Sequence, residues 1–197
     1  MTCALVPLAD GVEEMEAVIT IDILRRAGWK VVAAGLATGV VTAARGVRIT
    51  PDCPLADAGA DDFDALVLPG GAKGVENLRK DRRIVESVRQ YSSADKLVCA
   101  VCAAPLVLHQ AGILAGRRVT SHPSVALELN QSEWIDAPVV VDGNIVTSQG
   151  AGTTLAFALE IIRRMGDTKS ATDISKAICA QDRPQSKRNA SSHIVPA

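Results

Sequence analysis

Four short apolar runs, Cys3–Leu8, Lys30–Gly35, Asp64–Leu68 and Lys96–Cys102, recur along the chain with helix-patterned segments between them. Runs this short, with little polar alternation, suit strands covered on both faces. From Glu13 to Ala27, Val18, Ile21 and Leu24 share one stripe. Arg25 and Arg26 sit in the last turn, where positive charge complements the helix dipole, and Gly28 stops the helix. Ile84, Val85 and Val88 mark the buried side of a second helix ending near Tyr91, and Ala103–Gln110 predicts a third, closed by Gly112. Thr153–Arg164, ended by Gly166, and Ser170–Ala180 complete the helices. Strands alternating with helices in this order predict an α/β fold: a mostly parallel central sheet with helices on both faces.

The remaining extended segments are shorter. Val40–Ala43 and Val47–Thr50 read as a hairpin around Arg45-Gly46, and Val139–Val141 and Ile145–Ser148 as a hairpin around Asp142-Gly143-Asn144. Arg118–Ser121 reads as a fifth strand leading to His122-Pro123. A length of 197 residues fits one domain, expected over residues 1–182. Residues 183–197 are polar and expected to form a flexible tail.

Net charge is −1, from 21 basic and 22 acidic side chains, so no global field favours nucleic acid or an anionic membrane surface. No apolar run reaches the roughly 18 residues a membrane span needs. The opening MTCALVPLADGVEEMEA lacks the basic start and long apolar stretch of a signal peptide. Five cysteines, an odd number, argue against a disulfide framework, and a cytoplasmic location is expected.

In a parallel α/β sheet, ligand chemistry gathers at the carboxyl ends of the strands. The loops there hold Glu13 to Glu16, Gly70-Gly71, Cys102 and His122. Cys102 follows LVCAV and precedes AAPLVL, the position of a nucleophile elbow without its usual spelling, with small Ala100, Ala103 and Ala104 permitting the turn. Amides at a helix start favour a thiolate, so a lowered pKa is expected. The bland alternative is that Cys102 is one more small buried hydrophobe.

Cys99 and Cys102 spell C-A-V-C, but residues three apart in a strand point to opposite faces, so a redox dithiol is rejected and Cys99 is assigned to the core. Three histidines without ligand spacing indicate no metal site. PGGAKGVEN lacks the spacer and the Ser/Thr of a phosphate loop, which argues against nucleotide binding. Gly70-Gly71 is either an ordinary turn or a close-approach surface for an oxyanion. One of the Glu13 to Glu16 carboxyls either simply complements the helix dipole or enters the site protonated, as a partner of Cys102. Of the histidines, His122 is the candidate proton carrier, whereas His109 and His193 read as structural or solvated.

ADGVEEMEAV, ILRRAGWKV, the arginine of AARGV, LPGGAKGVENL, AVCAAP, VTSHP and TSQGAGT together resemble the ThiJ/PfpI superfamily, in the branch of the parkinsonism-associated deglycase and bacterial YajL-like proteins. The resemblance spans the chain to about residue 180. It implies a flavodoxin-like three-layer sandwich, usually homodimeric and without cofactors. Cys102 would be the nucleophile, Glu16 its protonated carboxyl partner, and His122 a neighbour. The Gly71 and Ala103 amides would form the oxyanion pocket beside Gly70, with Arg45 and Arg26 near the site or the dimer contact.

The implied activity is glyoxalase- or deglycase-type turnover of small reactive carbonyls or of glycated proteins and amino acids. The alternatives are an oxidation sensor or holdase chaperone acting through Cys102, and a structural domain with inert thiols. Two departures stand out. Ala103 replaces the histidine that follows the cysteine in the protease branch, so peptidase activity is not expected. Gln149 and Ala151 stand where some relatives carry Arg and Pro.

Overall fold

The structure, a computed structural model, describes residues 1–59 and 63–180; the expected tail, residues 183–197, lies outside the described residues. In chain order the strands are β1 (Cys3–Leu8), β2 (Lys30–Gly35), β3 (Val41–Thr42), β4 (Arg48–Ile49), β5 (Cys53–Pro54) and β6 (Ala65–Leu68). They continue with β7 (Leu97–Val101), β8 (Arg118–Val119), β9 (Glu133–Trp134), β10 (Val139–Asp142) and β11 (Ile145–Ser148). The helices are α1 (Glu14–Arg26), α2 (Ala72–Lys80), α3 (Arg82–Ser93), α4 (Pro105–Ala111), α5 (Thr154–Arg164) and α6 (Thr168–Ala177).

Seven strands form the central sheet in the order β10-β11-β7-β6-β1-β2-β5, parallel except for the β10–β11 hairpin. Along its strands, alternate residues pack to opposite faces. Val6, Val67, Cys99 and Val146 meet Leu24 of α1, Phe157 of α5 and Ile174 of α6 on one side. Leu5, Leu66, Val98 and Ile145 meet Leu78 of α2, Val88 of α3 and Leu108 of α4 on the other. Both sheet faces are therefore dry, which is why the strand sequences lack a polar phase. The three-layer α/β arrangement expected from the sequence is the one that forms, and Cys99 is fully buried within it.

Two segments differ from the sequence reading. Arg118–Val119 pairs with Glu133–Trp134 in a separate two-stranded sheet, and β11 takes the place beside β7. β11 buries all four of its residues, whereas Arg118 is exposed, so the hairpin supplies the better core strand. Helix α2, with Val75 and Leu78 inward, was not anticipated. Its short stripe is interrupted by Gly74, and it is split from α3 at Asp81, whose side chain accepts the Arg83 N–H at 2.9 Å.

Candidate active site

Strand β7 ends at Val101, and Cys102 turns the chain at φ +64°, one of three non-glycine residues with positive φ among those described. That conformation costs roughly 1 to 3 kcal/mol and persists only where the surroundings enforce it. Both backbone groups of Cys102 are held from outside. Its N–H donates to the Ser148 carbonyl at 2.9 Å, and its carbonyl accepts the His122 N–H at 2.8 Å. Helix α4 then begins at Pro105, where proline suits a first helical position, not at Ala103 as the sequence suggested.

Glu16, in the first turn of α1, is completely buried. Its Oε2 accepts the Gly70 N–H at 2.7 Å, while Oε1 is buried without an amide partner. The Cys102 thiol hydrogen-bonds the same carboxyl, and the Gly71 and Ala103 N–H groups both reach the sulfur. The glycines make this approach possible. A Cβ on Gly70 would lie 2.6 Å from both Cys102 Cβ and Glu16 Oε2, and one on Gly71, at φ +90°, would run into the Gly11 carbonyl.

Burial pushes the Glu16 carboxyl up to about 7, against the Gly70 and Cys102 hydrogen bonds that act to lower it. Burial, and then the charge of an ionised Glu16, push the Cys102 thiol up to about 11. The Gly71 and Ala103 amides pull it down but are outweighed, so the expectation of a thiol depressed by helix-start amides is not met. α4 starts three residues beyond the sulfur's own residue, so its N-terminal dipole acts at a distance. Glu16 and Cys102 are thus coupled. With Glu16 neutral, the charge that opposes ionisation of the sulfur is gone, and the carboxyl has a proton to donate to the thiolate.

His122 is exposed, and its ring stands beside Gly150: a Cβ there would lie 3.8 Å from His122 Cδ2 and 3.9 Å from Glu16 Oε1. Arg45 tips the β3–β4 turn, exposed, with its backbone N–H donating to Glu14 Oε1 at 2.9 Å. It lines a surface crevice of about 560 Å3 with Asp10, Thr42, Ala72 and Lys73. Arg26 is not brought to Cys102. It ion-pairs with Asp22 at 2.7 Å in the last turn of α1, some 15 Å along the helix from Glu16.

Sequence reasoning overlooked Ser148 and Gly150, whose signal was the TSQGAGT segment that ends β11 and runs on past it. It also overlooked Ser124, which no motif marks. Among the described residues no cluster of three or more His, Cys, Asp or Glu is placed to hold a metal, and no helix is long and apolar enough to cross a membrane.

The model of the DJ-1/PfpI family matches residues 2–164. The chain is 42% identical over 178 residues to protein dj-1beta of Drosophila melanogaster, covering 89% of this chain and 95% of that one. It is 36% identical over 157 residues to a deglycase of Pyrococcus abyssi, covering 79% and 94%. The solved structure of oxidized DJ-1 from Toxoplasma gondii superposes with a TM-score of 0.87 at 31% identity, covering 92% of this chain and 100% of that one.

Proposed function

Since the chain belongs to the DJ-1/PfpI family, we propose that it is a cofactor-independent enzyme in which Cys102 attacks small reactive carbonyls such as methylglyoxal, or the adducts they leave on proteins and amino acids. The observation that carries this reading is the sulfur of Cys102, met by the Gly71 and Ala103 amides and by the buried Glu16 carboxyl. A deglycase among the relatives supports it.

The sulfur adds to the aldehyde carbon, and the oxygen that becomes negative takes the Gly71 and Ala103 N–H groups that the sulfur gives up. Glu16, with His122 beside it, moves the protons. One leaves the former aldehyde carbon and one is delivered to the adjacent ketone carbon, so the first is oxidised and the second reduced, leaving a lactoyl thioester. Water cleaves its C–S bond and releases lactate with the thiol restored. Methylglyoxal turnover by Cys102→Ser tests the assignment: retention of wild-type rates overturns it.

A second reading uses the same residues. Cys102 is oxidised to a sulfinate that a neutral Glu16 hydrogen-bonds, as sensor or holdase; the relative solved in an oxidized form favours keeping it. Peroxide titration followed by mass spectrometry separates the two readings: two oxygens gained at Cys102 with negligible carbonyl turnover selects the sensor.

The cytoplasm is the proposed location and a homodimer the proposed assembly. Met15 and Val18, three residues apart on α1 and 52% and 51% exposed, give the helix an apolar outer face suited to a second copy. Sedimentation at micromolar concentration tests this assembly.

A further inference from the structure

An imidazole that is neutral carries one hydrogen, and the atoms around it decide on which nitrogen. The Ser124 backbone N–H donates to His122 Nδ1 at 3.2 Å, closing the first turn of the 3-10 segment Pro123–Glu128. A backbone N–H has no other role than donor, so Nδ1 is bare in this contact. Ser124 Oγ lies 2.8 Å from the same nitrogen, within reach to place its hydroxyl hydrogen there. Both hydrogen-bonding groups of one serine therefore converge on Nδ1, and the hydrogen of the neutral ring is left on Nε2. Cδ2, bonded directly to Nε2, is the ring atom that stands beside Gly150, across from the unpartnered Glu16 Oε1. The His122 backbone is anchored as well, through its N–H on the Cys102 carbonyl at 2.8 Å.

We propose that Ser124 is a positioning residue that holds His122 in the Nε2–H form, so that the ring meets the carbonyl substrate as a hydrogen-bond donor. This rests on the carbonyl-enzyme reading above, and it divides the work between the two groups. His122 keeps its hydrogen and donates an Nε2–H hydrogen bond to the substrate oxygens, while Glu16 moves the protons: its carboxyl proton passes to the oxygen that sulfur attack makes negative, and the carboxylate so formed takes the proton from the former aldehyde carbon and delivers it to the adjacent carbon. The hydroxyl proton crosses to the neighbouring oxygen as the thioester carbonyl forms, so no hydrogen is created or lost, and hydrolysis restores the thiol and carboxyl.

The test is 15N-detected NMR of the two imidazole nitrogens in the full chain at about pH 8.5, above the ordinary imidazole range near 6.5. Wild type, Ser124→Ala and Ser124→Thr are compared, with methylglyoxal kinetics on the same samples. Nε2–H is expected to dominate in wild type and in the threonine variant, which keeps the hydroxyl. Ser124→Ala is expected to shift the tautomer ratio several-fold toward Nδ1–H and to lower kcat about tenfold at nearly unchanged KM.

A wild-type ring protonated on Nδ1 overturns the proposal. So does a tautomer ratio unmoved by Ser124→Ala, even if turnover falls, because the serine would then be merely structural. The NMR result stands without turnover. A shifted tautomer in a protein whose wild type does not consume methylglyoxal upholds the positioning role and discards the carbonyl-enzyme reading instead.

Discussion

Glu16 on the first turn of α1 is tied to the Gly70 amide at 2.7 Å, so the first helix and the loop after β6 meet at one buried oxygen. The other oxygen of that carboxyl has no amide to offset its burial, and the group is held up to about 7 from an ordinary 4.5.

A carboxyl whose folded pKa is raised favours folding while it is protonated. The contribution is complete below about 4.5 and is lost as pH rises through about 7. At about 1.4 kcal/mol per pKa unit the loss is roughly 3 kcal/mol. Urea unfolding at steps from pH 4.5 to 8 is expected to show this decline, and Glu16→Gln to flatten it. An equal slope in the variant would place the titration elsewhere.

The same substitution acts on the thiol. Burial and the Glu16 charge together push Cys102 up to about 11, and glutamine keeps the shape while removing the charge. The midpoint pH for alkylation of Cys102 by iodoacetamide is expected to fall in Glu16→Gln. Under the proposed mechanism, in which Glu16 carries the proton, methylglyoxal turnover is expected to drop by about 10² or more.

Gly70→Ala introduces a carbon 2.6 Å from both Cys102 Cβ and Glu16 Oε2, and neither is a flexible surface group. Loss of about 1 to 3 kcal/mol of stability is expected from the overpacking, together with loss of Cys102 reactivity. Thermal melting and thiol labelling read the two effects separately.

Gly150→Ala is expected to fold normally, since φ 164° is ordinary extended backbone and the new methyl meets His122 and Glu16 only at 3.8 and 3.9 Å. It does occupy the gap between them. Phenylglyoxal turnover is therefore expected to fall by about tenfold or more relative to glyoxal, while the rate of Cys102 oxidation by hydrogen peroxide stays near wild type. A uniform loss across all three reagents would mean that the gap is not where the substrate side chain sits.

The sheet was legible because β1, β2, β6 and β7 are short apolar runs that only a doubly covered strand accommodates, and LVCAV running into AAPLVL placed the elbow within a residue. Arg118 was misplaced because a two-residue strand outside the core carries the same local propensity as one inside it. α2 was overlooked because Gly74, needed for close approach to Val12, weakens its helical signal. The raised thiol was not legible at all. It depends on how deeply the sulfur is buried beside Glu16, a consequence of chain segments far apart in sequence, whereas the helix-start amides that favour the opposite shift are visible locally. Arg26 illustrates the same limit: its motif is present, but ten residues of helix carry it away from Cys102.

The left-handed turn at Cys102 is secured by the Ser148 carbonyl and the His122 amide, both contributed by parts of the chain made after it. During synthesis the elbow therefore cannot take its working shape when its own strand emerges. The turn is completed last, once β11 has docked, so a ribosome-bound or truncated chain lacking that strand carries Cys102 without the Ser148 contact that holds it.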